Sequence, residues 1–131
     1  MVNMATILII DDNINIISLL ITLLELEGYR VLGANGKNNI YHTLRHESPD
    51  LVLLDIHLRA NDGTEISGYE ILEHIRCNPE LKNTPVVMVS GIDLQEQALK
   101  AGADGFILKP YIPDELMSSI RTYIEAGNGR I

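Results

Sequence analysis

The sequence predicts a doubly wound α/β fold, a five-stranded parallel sheet flanked by five helices in a three-layer sandwich. Two observations lead to it. Apolar bursts alternate with amphipathic stretches along the whole chain. The bursts themselves are near-continuous runs of Ile, Leu and Val, the pattern of strands buried on both faces. The 131 residues suffice for a single domain with a real core, expected over about residues 5–124, with a frayed tail at 125–131.

Each element has its own signal. Thr6 to Ile10 is β-branched and apolar, the first strand. Ile14, Ile17, Leu20, Ile21 and Leu24 recur at helical spacing, with Asp12 or Asn13 available as a cap and Gly28 placed to stop the helix. Arg30 to Ala34 is a second, weaker strand, and a polar helix over Lys37 to Glu47 buries Ile40 and Leu44 before Pro49. Leu51 to Leu54 is the third strand. A long polar loop follows, then a helix over Tyr69 to Cys77 that ends before Pro79. Pro85 introduces the fourth strand, Val86 to Val89. Asp93 can cap a short helix running to Lys100, with Gly102 after it. Phe106 to Leu108 is the fifth strand. Pro113 opens the last helix, with Asp114 and Glu115 in its first turn, and it runs to about Ile124.

Composition narrows the function classes. With 46% hydrophobic and 21% charged residues, the chain falls in the ordinary globular class. A net charge of -8 and the lack of a basic stripe argue against direct nucleic-acid binding. No apolar run approaches the roughly 18 residues of a membrane span, and the start lacks the basic region of a signal peptide. The single cysteine, Cys77, excludes an internal disulfide and reads as a small packed residue on its helix. A cytoplasmic protein is expected.

In a doubly wound sheet, ligands bind outside the carboxyl ends of the strands. Asp11 and Asp12 follow the first apolar run, Asp55 the third, Ser90 and Gly91 the fourth, and Lys109 and Pro110 the fifth. Turn or cap roles are common for such residues, but capping does not explain two adjacent acids. Carboxylates gathered at one edge must be protonated or bind a cation. Hard oxygen donors suit Mg²⁺, or Mn²⁺, shared with a phosphoryl group. Lys109 could pair with a phosphate oxygen and Ser90 could donate to one. Gly91 would leave room for its approach, and Asp55 could accept the group.

The set ILIIDD, LLD, VSG and FILKP, in this order, resembles the receiver domain of two-component response regulators over roughly Ile7 to Ile124. The resemblance implies a flavodoxin-like topology with Asp55 as phosphoacceptor. It implies Mg²⁺ on Asp12 and Asp55, with Asp11 assisting through water and the His57 carbonyl completing the site. Ser90 would be the switch hydroxyl and Phe106 the switch aromatic, for which core packing is the competing reading. Lys109 would pair with the phosphate across a cis bond to Pro110. His57 and Ile92 would set the lifetime of the phosphoryl group.

The implied function is a phosphorylation-dependent signalling switch rather than an enzyme. A histidine kinase or histidine phosphotransfer protein would be the donor. A downstream protein would bind through the fourth helix, fifth strand and fifth helix, a face that could also form a phosphorylation-dependent homodimer. One alternative is a pseudo-receiver acting only as an interaction module, yet every acid and the lysine are retained. A phosphohydrolase using an aspartyl phosphate needs a second Asp two positions after the first, where His57 stands. An FMN binder would be repelled by Asp11 and Asp12.

The chain departs from the family pattern behind Asp55. Gly63 lies at the usual offset (63 - 55 = 8), but the helix-opening Gly-Tyr-Glu-Ile-Leu begins at Gly68 (68 - 55 = 13), an insertion of five residues. The proline usual in this loop is missing, with Arg59 near its place. A tolerated surface loop is the simpler expectation; the sharper one is that it modifies access to Asp55 or docking of the donor.

Overall fold

The computed structural model describes residues 5–59 and 63–128. Its strands are β1 (Thr6–Ile10), β2 (Arg30–Ala34), β3 (Leu51–Asp55), β4 (His57–Arg59), β5 (Glu65–Ser67), β6 (Val86–Ser90) and β7 (Gly105–Leu108). The helices are α1 (Ile14–Leu26), α2 (Lys37–Glu47), α3 (Gly68–Cys77), α4 (Gln95–Ala101) and α5 (Pro113–Asn128). The main sheet has the order β2-β1-β3-β6-β7, and each of its pairs is parallel. This is the predicted five-stranded, doubly wound sandwich.

Strand alternation divides the core in two. Leu8, Ile10, Val52 and Leu54 face one way and pack on Ile40 and Leu44 of α2, Ile71, Leu72 and Ile75 of α3, and Ala98 of α4. Ile7, Ile9, Leu51 and Leu53 face the other way, onto Ile17, Leu20 and Leu24 of α1 and Leu116, Ile120 and Ile124 of α5. Every residue of β1, β3 and β6 is buried, whereas β2 is an edge strand in which only Val31 and Ala34 are buried. That explains why β2 is the weaker strand in the sequence.

Four local expectations change. The segment after Asp55 is not simply a loop: β4 and β5 form an antiparallel hairpin, with Leu58 opposite Ile66 and Arg59 opposite Glu65. Leu58 and Ile66 are buried in the α2–α3–α4 half of the core, while His57, Arg59, Glu65 and Ser67 are exposed. The last helix continues past Ile124 to Asn128, so 125–128 are helical rather than frayed; residues 129–131 lie outside the described part. Cys77 is exposed, not packed. The buried residues of α3 are Gly68, Ile71, Leu72 and Ile75, and Cys77 lies about 200° around the helix from Ile75, away from that stripe. Asp93 does not sit at the cap position of α4, which is Leu94, but its carboxylate still accepts the Gln95 N–H at 3.3 Å.

Candidate functional site

Three strand ends set the site. Asp11 immediately follows β1, Asp55 ends β3, and Lys109 follows β7. Asn13 caps α1 by accepting the N–H groups of Asn15 and Ile16, which turns the chain sharply after β1. Asp11 is held in that turn: it is 6% exposed and its Oδ1 accepts the Asn13 N–H at 2.9 Å. Asp12 is exposed. One carboxylate oxygen from each of Asp11, Asp12 and Asp55 lies within 4.8 Å of the others. A trio of hard oxygen donors this close, with Lys109 as a neighbouring cation, fits a divalent ion of the Mg²⁺ kind.

Lys109 answers part of the charge. Its Nζ donates to Asp55 Oδ2 at 3.0 Å and lies 3.7 Å from Asp11 Oδ2. Burial pulls the lysine pKa down, but the hydrogen bond to Asp55 and the charges of Asp11 and Asp55 outweigh it, and the net shift is upward. The Asp11 pKa is raised, first by burial and further by Asp55 and Asp12, against the Asn13 N–H and Lys109. Both shifts keep the protonated form longer than usual. The Lys109–Pro110 peptide is cis, and the Lys109 N–H donates to the Ser90 carbonyl at 2.8 Å, which extends the β6–β7 ladder up to the site.

The remaining candidates spread along the same edge. Ser90 is 1% exposed, and its Oγ accepts the Ile92 N–H at 3.1 Å. A Cβ built on Gly91 meets nothing within 4 Å, so space is open there. Ile92 is 61% exposed. Phe106 is half-buried against the α2–α3–α4 half of the core. The His57 side chain is exposed, while its N–H donates to Asp55 Oδ1 at 3.2 Å.

Three features escaped the sequence. The Arg59 N–H donates to Asp12 Oδ2 at 3.0 Å, which ties the hairpin to the acids. Tyr111 packs near the cluster; burial raises its phenol, Lys109 opposes, and Asp11 and Asp55 push the same way as burial. A cleft of about 620 Å³ opens between the hairpin, Asp12 and Tyr69. The sequence did carry one hint of the hairpin. Asp62-Gly63 is a strong turn dipeptide, and it is flanked by polar–apolar–polar triplets. Gly68 is required by packing: a Cβ there would sit 2.5 Å from the Asp55 carbonyl oxygen and 2.8 Å from Ile56 Cα.

A doubly wound sheet with three acids and a lysine at its carboxyl edge defines a class of α/β domains with a charged site outside the strand ends, and comparison with known proteins narrows it. The sequence matches the response regulator receiver domain family over residues 7–121, and the chain belongs to that family. It is 36% identical over 124 residues to the transcriptional regulatory protein CpxR homolog of Haemophilus influenzae, covering 92% of this chain and 51% of that one. It is 32% identical over 122 residues to the phosphate regulon regulator PhoB of Pseudomonas aeruginosa, covering 91% and 51%. The chain thus spans about half the length of these curated relatives. The crystal structure of a CheY-like receiver domain protein from Methanospirillum hungatei superposes with a TM-score of 0.84 at 28% identity, covering 98% of this chain and all of that one. Receiver domains are signalling phosphoacceptors of two-component systems, with histidine kinases upstream and effectors downstream. Among the described residues, no helix is long and apolar enough to cross a membrane.

Proposed function

We propose that this chain is one receiver domain that takes a phosphoryl group from a phosphohistidine onto Asp55. The observation that carries the reading is the placement of Lys109 Nζ 3.0 Å from Asp55 Oδ2, with Asp11 and Asp12 beside it. An Asp55 oxygen attacks the phosphorus, the P–N bond breaks, and its electron pair returns to the imidazole nitrogen. Lys109 pairs with a phosphoryl oxygen as charge shifts onto Asp55. The Ser90 oxygen already accepts from Ile92, so its own proton is available to donate. Open space at Gly91 admits the group.

Mg²⁺ or Mn²⁺ on Asp12 and Asp55, with Asp11 through water, would neutralise charge on the transferring oxygens. The His57 carbonyl also suits this role, because in an extended residue it points to the same edge as the N–H bonded to Asp55. Inward movement of Ser90 and completed burial of Phe106 would bias the face formed by α4, β7 and α5. That face would dock a cytoplasmic downstream protein or a second phosphorylated copy. His57 and Ile92, both exposed, would control the approach of water and so the lifetime of the aspartyl phosphate.

The test is acyl-phosphate labelling by acetyl phosphate in Mg²⁺. Wild type acquires one hydroxylamine-sensitive phosphoryl group, and Asp55→Asn acquires none. Undiminished labelling of Asp55→Asn would falsify the assignment.

A further inference from the structure

The β4–β5 hairpin carries an inference about the cation site. We propose that Arg59 is a positioning residue: its main-chain N–H fixes the Asp12 carboxylate, making the hairpin a working part of that site. The inference rests on the reading of the acids as a cation site given above.

The argument begins with the ladder. The Gly68 N–H donates to the Ile56 carbonyl at 2.7 Å, so that carbonyl faces the β5 side, while the Ile56 N–H donates to the Val89 carbonyl of β6 at 3.0 Å. Antiparallel pairs alternate between bonded and non-bonded. Leu58 and Ile66 are therefore the bonded pair, and the pairs His57–Ser67 and Arg59–Glu65 are non-bonded. The N–H groups of His57 and Arg59 consequently point away from β5, on the open edge of the hairpin. An open edge would ordinarily leave such groups to water. Here both meet acids: His57 donates to Asp55 Oδ1 at 3.2 Å and Arg59 to Asp12 Oδ2 at 3.0 Å.

The strand's two-residue period thus supplies one donor to each of two acids. Asp12 gains most, because it is exposed and its carboxylate otherwise meets the side chain of Asp11, a fellow acid. With Oδ2 held by Arg59, the carboxylate is oriented before a cation arrives, and the rotamer entropy lost on binding is smaller. The hairpin is anchored well enough to impose this. Leu58 and Ile66 are each 5% exposed, and the Gly68 backbone packs against Asp55 and Ile56. By contrast, the Arg59–Glu65 side-chain pair is 67% and 80% exposed, and contributes little.

This separates the main chain of Arg59 from its side chain. Proline at 59 deletes an N–H that the β4–β5 ladder does not use, and proline is tolerated on such an edge. R59A keeps the N–H and removes the guanidinium. In a Mn²⁺ titration followed by water-proton relaxation, R59P should bind about tenfold more weakly than R59A. Without metal, the two variants should melt together. Equal Mn²⁺ affinities for R59P and R59A overturn the proposal. Should R59P fail to fold, amide exchange decides it. In metal-free wild type the Arg59 amide should be protected and should lose protection in Asp12→Ala, while Leu58 stays protected. An unprotected Arg59 amide in wild type overturns the proposal. Failure of wild type to bind Mn²⁺ overturns the cation reading instead, and the metal-free exchange measurement keeps the two failures apart.

Discussion

Asp11 is a residue that carries an electrostatic cost in the folded state. It is buried beside Asp55 and Asp12, with Lys109 at 3.7 Å as partial relief. Its pKa is raised above the ordinary 3.8 chiefly by burial, so the folded state binds its proton more tightly than the unfolded state does. Stability therefore falls as pH rises from the unfolded value through the raised folded one. Metal-free Asp11→Asn, which removes that charge but keeps an oxygen for the Asn13 N–H, should melt higher than wild type at neutral pH. The advantage should vanish at acid pH, where Asp11 is protonated. A circular-dichroism melt in chelator checks both; a neutral-pH melt no higher than wild type contradicts the assignment. Lys109 shifts the same way in a higher pH range: its raised pKa adds stability that is present below 10.5 and lost as pH climbs through the folded value.

At the scale of elements, the sequence was most legible where one pattern ran long enough to repeat. The runs of β1, β3 and β6 are five residues each and buried throughout, so they stand out without any alternation. The hairpin strands are three residues each with one buried position apiece, too short for a period-two pattern to separate from loop. The acids and Lys109 were legible because each follows an apolar run. The Arg59 contribution was not, since a main-chain N–H has no side-chain signature. Arg76 was missed for another reason: on a helix it reads as an ordinary surface cation. In the structure it donates to the carbonyls of Gly102, Lys82 and Thr84 and to Asp104 Oδ2, which also accepts the Val86 N–H. One planar guanidinium joins α3, the turn before β6 and the α4–β7 connection. Arg76→Ala should destabilise the fold by about 2–4 kcal/mol, read as a lower urea midpoint at unchanged slope. Lysine should recover less than half of the loss, because a single ammonium cannot reproduce the fork.

The whole molecule divides its tasks between the ends of one sheet. At the amino end Asp50 Oδ2 accepts the Thr6 N–H at 2.7 Å and Arg76 holds Asp104 at 2.8 Å, so charge there is hydrogen-bonded and structural. At the carboxyl end three acids meet one lysine, and β1, β3 and α1 are positioned by packing that has no stake in that charge. The fold thus carries a local repulsion that a bound cation would relieve, and relief of a folded-state cost appears as global stability. Mg²⁺ at about a hundredfold over its dissociation constant should add about 2.7 kcal/mol, a rise in melting temperature on the order of 10 °C. In Asp12→Asn the same titration should give a small fraction of that rise, and a Ca²⁺ series should track ion size against the closely spaced oxygens. A rise of equal size in Asp12→Asn would mean that the ion binds elsewhere. In that case the carboxyl edge stores its repulsion without a cation, and the hairpin's hold on Asp12 serves packing alone.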